Sequence, residues 1–276
     1  MFSDSNLSKI LGVNYKWLYF LKFRFKISTT YKTDTFLWFF GELLKLLGII
    51  FIWYLGSLNG SQINFPKIFT YLVIGRLIDS LTNVSDVFWF GSKLSKNTDD
   101  SVRVLMLPHG TNGVFLYLMT KYFGSNIFHS FVNIFWLVVL SLIFHSWILL
   151  PTNWLTLLWL PAFMILTLLI KFFINFCIGL FAVWTTESGG IWSLFGGIND
   201  FLSGSMFPLN LYFLTNWTLY LPFACTYFYP INLYFEPNPW NLFWIFGGGV
   251  FWTILLYFLA RIILKAALKK NESVGL

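Results

Sequence analysis

From Gly189 to Pro239 the chain is strongly apolar, and yet it is broken. Ile191 to Phe207 is nearly long enough to cross a bilayer, then runs through Asp200-Phe201-Leu202-Ser203-Gly204 into Pro208-Leu209. From Asn210 to Phe235 the apolar character continues, but Pro222 and Pro230 interrupt it. Each internal proline removes an amide donor and clashes with the preceding turn, which excludes one straight spanning helix. Irregular backbone survives at membrane depth only where protein or a water-filled cavity satisfies it. Residues 209–235 therefore read as short helices that dip into the outer leaflet and return. A loop lying on the membrane surface is the alternative.

Composition sets the class. Of 276 residues, 57% are hydrophobic and 11% charged, where a soluble domain carries about a quarter charged residues. The chain reads as an all-α polytopic membrane protein. Cys177 and Cys225 lie far apart in apolar surroundings and read as buried or lipid-facing thiols. His109, His129 and His145 share no metal-ligand spacing, so no metal site is expected. The first 34 residues interleave charges and have no continuous apolar core, so no cleavable signal peptide is expected.

Residues 5–27 set Leu7, Trp17, Leu21 and Phe25 against Lys9, Lys16, Lys22 and Arg24. That pattern suits a helix in the headgroup plane, where cations meet anionic lipid. Residues 1–34 are thus one cytoplasmic interfacial unit, and 35–276 a single transmembrane domain. Its spans are expected at 36–55, 68–84, 127–148, 155–184, 191–207 and 242–264, six in all. Each is of the order needed to cross a ~30 Å hydrocarbon core, the fourth being over-long. Residues 113–122 read as interfacial. Gly247-Gly248-Gly249 in the last span suggests close helix approach.

Lysines and arginines set the orientation. The chain up to Asp34 holds six, residues 85–124 hold four and the tail from Arg261 holds four. The opposite segments hold Lys67 alone. Both termini and the 85–124 loop are therefore expected in the cytoplasm. The net charge of +7 follows from orientation, and nucleic acid is not an expected partner.

Charges inside the spans are expensive and need partners. Glu42 and Lys45 lie three apart and can pair, as can Arg76 and Asp79. Arg76 and Asp79 either line a pathway or clamp neighbouring helices; Lys171 lies alone in the fourth span. Asp200 is the best single candidate for a functional polar residue, with capping, or pairing with Arg76 or Lys171, as its simpler role. No Gly-x-x-x-x-Gly-Lys-Ser/Thr loop occurs, so nucleotide phosphates are not cradled in that way. No nucleophile–base pairing is indicated, and no catalytic residue is assigned.

Four stretches carry a family likeness. Asp200-Phe201-Leu202-Ser203-Gly204-x-x-x-Pro208-Leu209, then Leu221-Pro222-Phe223-Ala224-x-x-Tyr227-x-Tyr229-Pro230, resembles the ABC-2 type permeases of bacterial ABC exporters. The ending Arg261-Ile262-Ile263-Leu264-Lys265-Ala266-Ala267-Leu268-Lys269-Lys270 and the stretch Thr70 to Arg76 are similar to the same branch. One departure is Leu107 before Pro108, where the branch usually has arginine.

The resemblance implies six helices, an N-terminal interfacial helix, a coupling helix in the first cytoplasmic loop and re-entrant helices before the last span. It implies a transmembrane transport subunit without its own ATPase, in the bacterial inner (plasma) membrane. Such a subunit pairs with a second permease, identical or homologous, and with separate ATPase subunits that bind ATP and Mg. The chain itself is expected to hold no cofactor. On this reading Asp86, Phe88, Trp89, Phe90, Lys93 and Arg103 couple to the ATPase, with the aromatics as surface anchors. Arg76, Asp79, Asp200, Pro208, Pro222, Phe223 and Tyr229 belong to the pathway or gate. The aromatics dipping into lipid headgroups is the simpler alternative. A membrane-embedded lipid-modifying enzyme and a stand-alone carrier are the competing classes. The transported molecule is not legible.

Overall fold

The computed structural model describes residues 26, 32–58, 64–96, 98, 110–151, 156–185, 188–209, 215–235 and 239–273. Apart from Lys26, the interfacial helix expected over 5–27 lies outside them, as do Asp99, Asp100, Arg103 and Pro108. Among the described residues the structure is helical, without a strand. In order come α1 (Lys32–Leu58), α2 (Phe65–Leu81), a 3₁₀ turn (Ser85–Phe88), α3 (Trp89–Ser95) and α4 (Gly110–Ile143). A second 3₁₀ turn (His145–Trp147) leads to α5 (Thr156–Leu180), α6 (Ala182–Thr185) and α7 (Gly189–Ser203). The chain then passes through α8 (Thr215–Thr218), a 3₁₀ turn (Pro222–Thr226) and α9 (Phe228–Phe235) to α10 (Pro239–Ser273).

Four helices, Phe39–Leu58, Gly110–Ile143, Leu158–Thr185 and Leu242–Lys270, are long and apolar enough to cross a membrane. Of the most apolar stretch of each, 56% is buried in the third and only 17–22% in the others. α5 is therefore the mast of the bundle, and the other three turn most of their surface outward. α10 packs along it, and α3 and α9 lean on it from other sides. α2 and α7, both expected as spans, have 17 and 15 residues. At 1.5 Å per residue they reach only about 26 and 23 Å. α2 is nonetheless central: ten of its residues are buried, and Asn64 caps its start by accepting the Lys67 N–H.

One boundary and one packing contact differ from the sequence expectation. Residues 113–122 belong to α4, which is continuous to Ile143. Lys121 does not break it, because it is 6% exposed and lies over the rings of Tyr117 and Tyr122. Val114, Phe115 and Leu118 of the same stretch are buried in the core, with Phe115 set edge-on to Phe172, Phe173 and Phe176. The glycine triplet is the other. A Cβ at Gly247 or Gly248 would meet nothing within 4 Å, and only Gly249 faces neighbours, Leu166 and Phe163.

The broken stretch behaves as its residues require. α7 ends at Gly204, whose φ of +84° is the left-handed conformation that glycine adopts without a Cβ penalty. Tyr71 donates to the Gly204 carbonyl at 2.8 Å and fixes that exit to α2. Pro222 opens a 3₁₀ turn and Pro230 lies in the first turn of α9, positions where a missing amide donor costs little.

Candidate functional site: an ion-pair cavity and a docked segment

Every Lys, Arg, Asp and Glu that falls inside an expected span, Arg261 near the end of the last one excepted, comes together in one place. The positive-inside count leaves over Lys45, Arg76 and Lys171, and the matching acids are Glu42, Asp79 and Asp200. Arg76 donates to Glu42 of α1 and, at 3.1 Å, to Asp79 one turn away on α2. Lys171 of α5 reaches the other oxygen of Asp79 at 2.7 Å and the Thr82 hydroxyl at 2.9 Å. Lys45 of α1 reaches Asp200 of α7 at 2.7 Å. Glu42, Arg76, Asp79 and Lys171 form one chain of pairs and Lys45–Asp200 a separate pair beside it; together, three positive and three negative, they tie four helices.

The pairing corrects two expectations. Glu42 and Lys45 do not pair with each other; each turns to a different helix, because a cross-bundle partner lies closer than the neighbour one turn away. Asp200 meets Lys45 instead of Arg76 or Lys171, both of which are already held by Asp79. The Arg76–Asp79 pair itself is as expected.

These six side chains line a cavity of about 540 Å³, its open mouth included. Asn199, Ser203, Ser205, Thr226 and Tyr227 complete its polar wall. Ser205 donates to Asp200 at 3.2 Å and orients that carboxylate. Gly75 lets the Tyr227 ring lie directly on α2, since a Cβ there would overlap it. Among the expected gate residues, Pro222 is buried at the start of the turn that carries Thr226 and Tyr227 into the wall. Phe223 packs on Phe195 of α7. Tyr229 donates to the Leu219 carbonyl at 2.7 Å and braces the short helices against each other. Pro208 is buried just beyond the Gly204 turn and does not line the cavity. Arg76, Asp79 and Asp200 are thus gathered in one site, whereas the prolines and Phe223 shape its surroundings.

The residues expected to couple to an ATPase lie elsewhere. Asn83 accepts the Ser85 N–H at 2.9 Å and starts the turn that leads into α3. Phe88 and Phe90 were expected as surface anchors, and here the structure corrects the sequence reading: they are 0% and 2% exposed. Phe90 stacks on Phe176 of α5 with centroids 5.8 Å apart, and Phe88 meets Trp192 of α7 at 5.0 Å. Trp89 is half-buried against the same Trp192. The cause of this inward turn is a pair of glycines. A Cβ on Gly91 would overlap the Gly179 carbonyl, and one on Gly179 would overlap the Phe88 backbone. With no side chain between them, the segment beds backbone to backbone on α5, and its large rings fill the flanks.

Lys93 and Asp86 remain on the outer side of the segment. Asp86 stands at the mouth of a second polar cavity with Asn83, Ser85, Tyr122, Asn126 and His129. Burial raises its carboxyl above its ordinary value, while Lys93, and His129 when protonated, act the other way. Because the side chain keeps its contact with solvent, little stability rides on that shift.

One feature of the site escaped the sequence reading. Asn126, Ser130 and Asn133 fall on one face of α4 at four- and three-residue spacing. Asn126 and Ser130 donate to the Ser80 carbonyl at 3.1 and 2.6 Å, and Asn133 to its hydroxyl at 3.2 Å. This seam pins α2, and with it Arg76 and Asp79, against α4. A polar stripe within an otherwise apolar run was the available signal. Among the described residues no cluster of His, Cys, Asp or Glu could hold a metal ion.

A comparison with curated proteins finds no match. The family model described as ABC-2 family transporter protein matches residues 113–275. That stretch contains the docking face of α5, Lys171, Asp200 and the short helices before α10, whereas Glu42, Lys45, Arg76 and Asp79 lie ahead of it. The match covers more than half of the chain, and the protein, a multi-pass membrane chain of the permease type, belongs to the ABC-2 family transporter proteins.

Proposed function

We propose that the chain is the permease subunit of an ATP-driven exporter in the bacterial inner membrane. It forms the pathway with a second permease, identical or homologous, and is driven by separate ATPase subunits that bind ATP and Mg. The observation that carries this reading is the segment from Ser85 to Ser95, bedded on α5 through Gly91 and Gly179. A push on that segment moves α5 as a body. Lys171 sits eight residues before Gly179 on the same helix, about 12 Å along its axis. In this scheme six spans cross the membrane, α2 and α7 among them, and the short helices of 209–235 dip in from outside as the exit gate. Lys93, Asp86 and the expected Arg103 meet the ATPase from the outer side of the segment, while Phe88 and Phe90 hold it from within.

Without a partner, the purified chain should hydrolyse no ATP, and a soluble ATPase encoded beside it should co-purify and gain stimulated turnover. ATP hydrolysis in a preparation shown free of other subunits would sink the proposal. The orientation follows from the Lys and Arg count, with both termini and Lys96 in the cytoplasm. Lys96→Cys should resist an impermeant thiol reagent in intact cells, and Gly60→Cys should react. The two native cysteines are buried and give a quiet background. Labelling of position 96 but not 60 reverses the orientation.

A further inference from the structure

The six charges of the cavity sum to zero, and that sum restricts what can enter. A ligand with net charge would leave one charge uncompensated within the bundle, which is costly at membrane depth. A zwitterion brings its own balance. Its cation can take one member of an opened pair while its anion takes the other. Lys45–Asp200 is the pair suited to opening: the side chains are 47% and 25% exposed, and each makes this one ion pair among the described residues. Asp79, by contrast, is braced from both sides by Arg76 and Lys171.

A second observation points to a ligand. Ser203 lines the same cavity three residues from Asp200, and it is 1% exposed. Its Oγ has no hydrogen-bond partner among the described residues. A buried hydroxyl without a partner is costly unless something supplies one. A third concerns shape. An adjoining open groove, about 290 Å³ with the space outside its mouth included, shares Glu42, Leu46 and Arg76 with the first cavity, and its remaining wall is almost wholly apolar, including Phe39, Trp136, Leu137 and Leu140. A polar chamber and an apolar slot on either side of one wall fit a molecule with a charged head and a hydrocarbon chain.

We propose that this site binds a zwitterionic amphiphile with a phosphoethanolamine head. The ammonium lies at Asp200 and Ser203, the phosphate at Lys45, and the chain in the slot beside Trp136. A primary ammonium fits better than a trimethylated one. The chamber offers carboxylate and hydroxyl oxygens but a single aromatic ring, Tyr227, and quaternary ammonium groups are held by cages of such rings. The inference rests on the permease reading for its place in transport, but binding is measured without any ATPase. A chain that binds the lipid and fails to couple would overturn the proposed function alone.

The test uses the full chain in detergent, with tritiated dioctanoyl phosphatidylethanolamine read by scintillation proximity. Unlabelled phosphatidylethanolamine should displace the label at concentrations at least about tenfold below phosphatidylcholine or phosphatidylglycerol of the same chains, the equivalent of one good polar contact. Glycerophosphoethanolamine, the same head without chains, should be far weaker than the lipid. Ser203→Ala should weaken phosphatidylethanolamine about three- to tenfold, one hydrogen bond's worth. Its apparent unfolding temperature without lipid should not fall, because Oγ has no partner to lose among the described residues. Equal displacement by the three lipids, or unchanged affinity in Ser203→Ala, overturns the proposal. So does a free head that binds as tightly as the lipid, which would mark a soluble zwitterion as the ligand.

Discussion

Arg76→Met should cost roughly 3 kcal/mol of stability, the low end of the range for removing one partner of a buried ion pair. The low end applies because the Arg76 side chain keeps 19% exposure and Asp79 retains Lys171. Glu42 bears the loss: its carboxylate stays between α1 and α2 with its cation gone. The measurement is the apparent unfolding temperature in detergent, alongside the amount of protein inserted. Adding Glu42→Gln should recover at least half of the drop, since the neutral amide no longer needs a counter-charge. A double-mutant cycle over these two positions isolates their coupling. An Arg76→Met protein as stable as the parent would show that the network clamps nothing.

Gly91→Ala should be as damaging, although it adds one methyl group. That methyl would overlap the carbonyl of Gly179, where no side chain can swing aside. Adding a methylene to a packed core costs about 1–3 kcal/mol, and here two backbones must part, so the upper end applies. The loss should fall on ATPase-stimulated transport before it falls on insertion, because the segment lifts from α5 while the long helices stay in place. Gly179→Ala should reproduce it through Phe88. Gly197→Ala on α7 meets nothing within 4 Å and should change stability by no more than about 0.5 kcal/mol. Should Gly91→Ala and Gly197→Ala behave alike in a coupled assay, the bedded segment is not the route of the drive.

Much of this was legible in the residues. Pairing within a helix needs only spacing, and Arg76–Asp79 was readable for that reason. Pairing across helices needs to know which faces meet, and local spacing is silent on that. Lys45 and Asp200 lie 155 residues apart. The break after Ser203 was readable because glycine and proline act locally. The unbroken course of α4 was not, because a lysine looks like a helix end in lipid until its aromatic cover is seen. Phe88 and Phe90 show the same limit: a run of three aromatics marks an anchor, but the direction of its grip was set by Gly91 and by Gly179 far along the chain. Gly91 beside that aromatic run was the one local hint.

The zero sum of the buried charges has an electrical consequence. One elementary charge carried across a membrane potential does work of about 2.3 kcal/mol per 100 mV. Three cations and three anions that travel together, held in a chain of four and a separate pair across α1, α2, α5 and α7, do almost none. A bundle wired in this way can shift its helices at the same rate in an energised cell and in a depolarised one. On the ATP-driven reading proposed above, the stroke then draws on the nucleotide alone, indifferent to voltage.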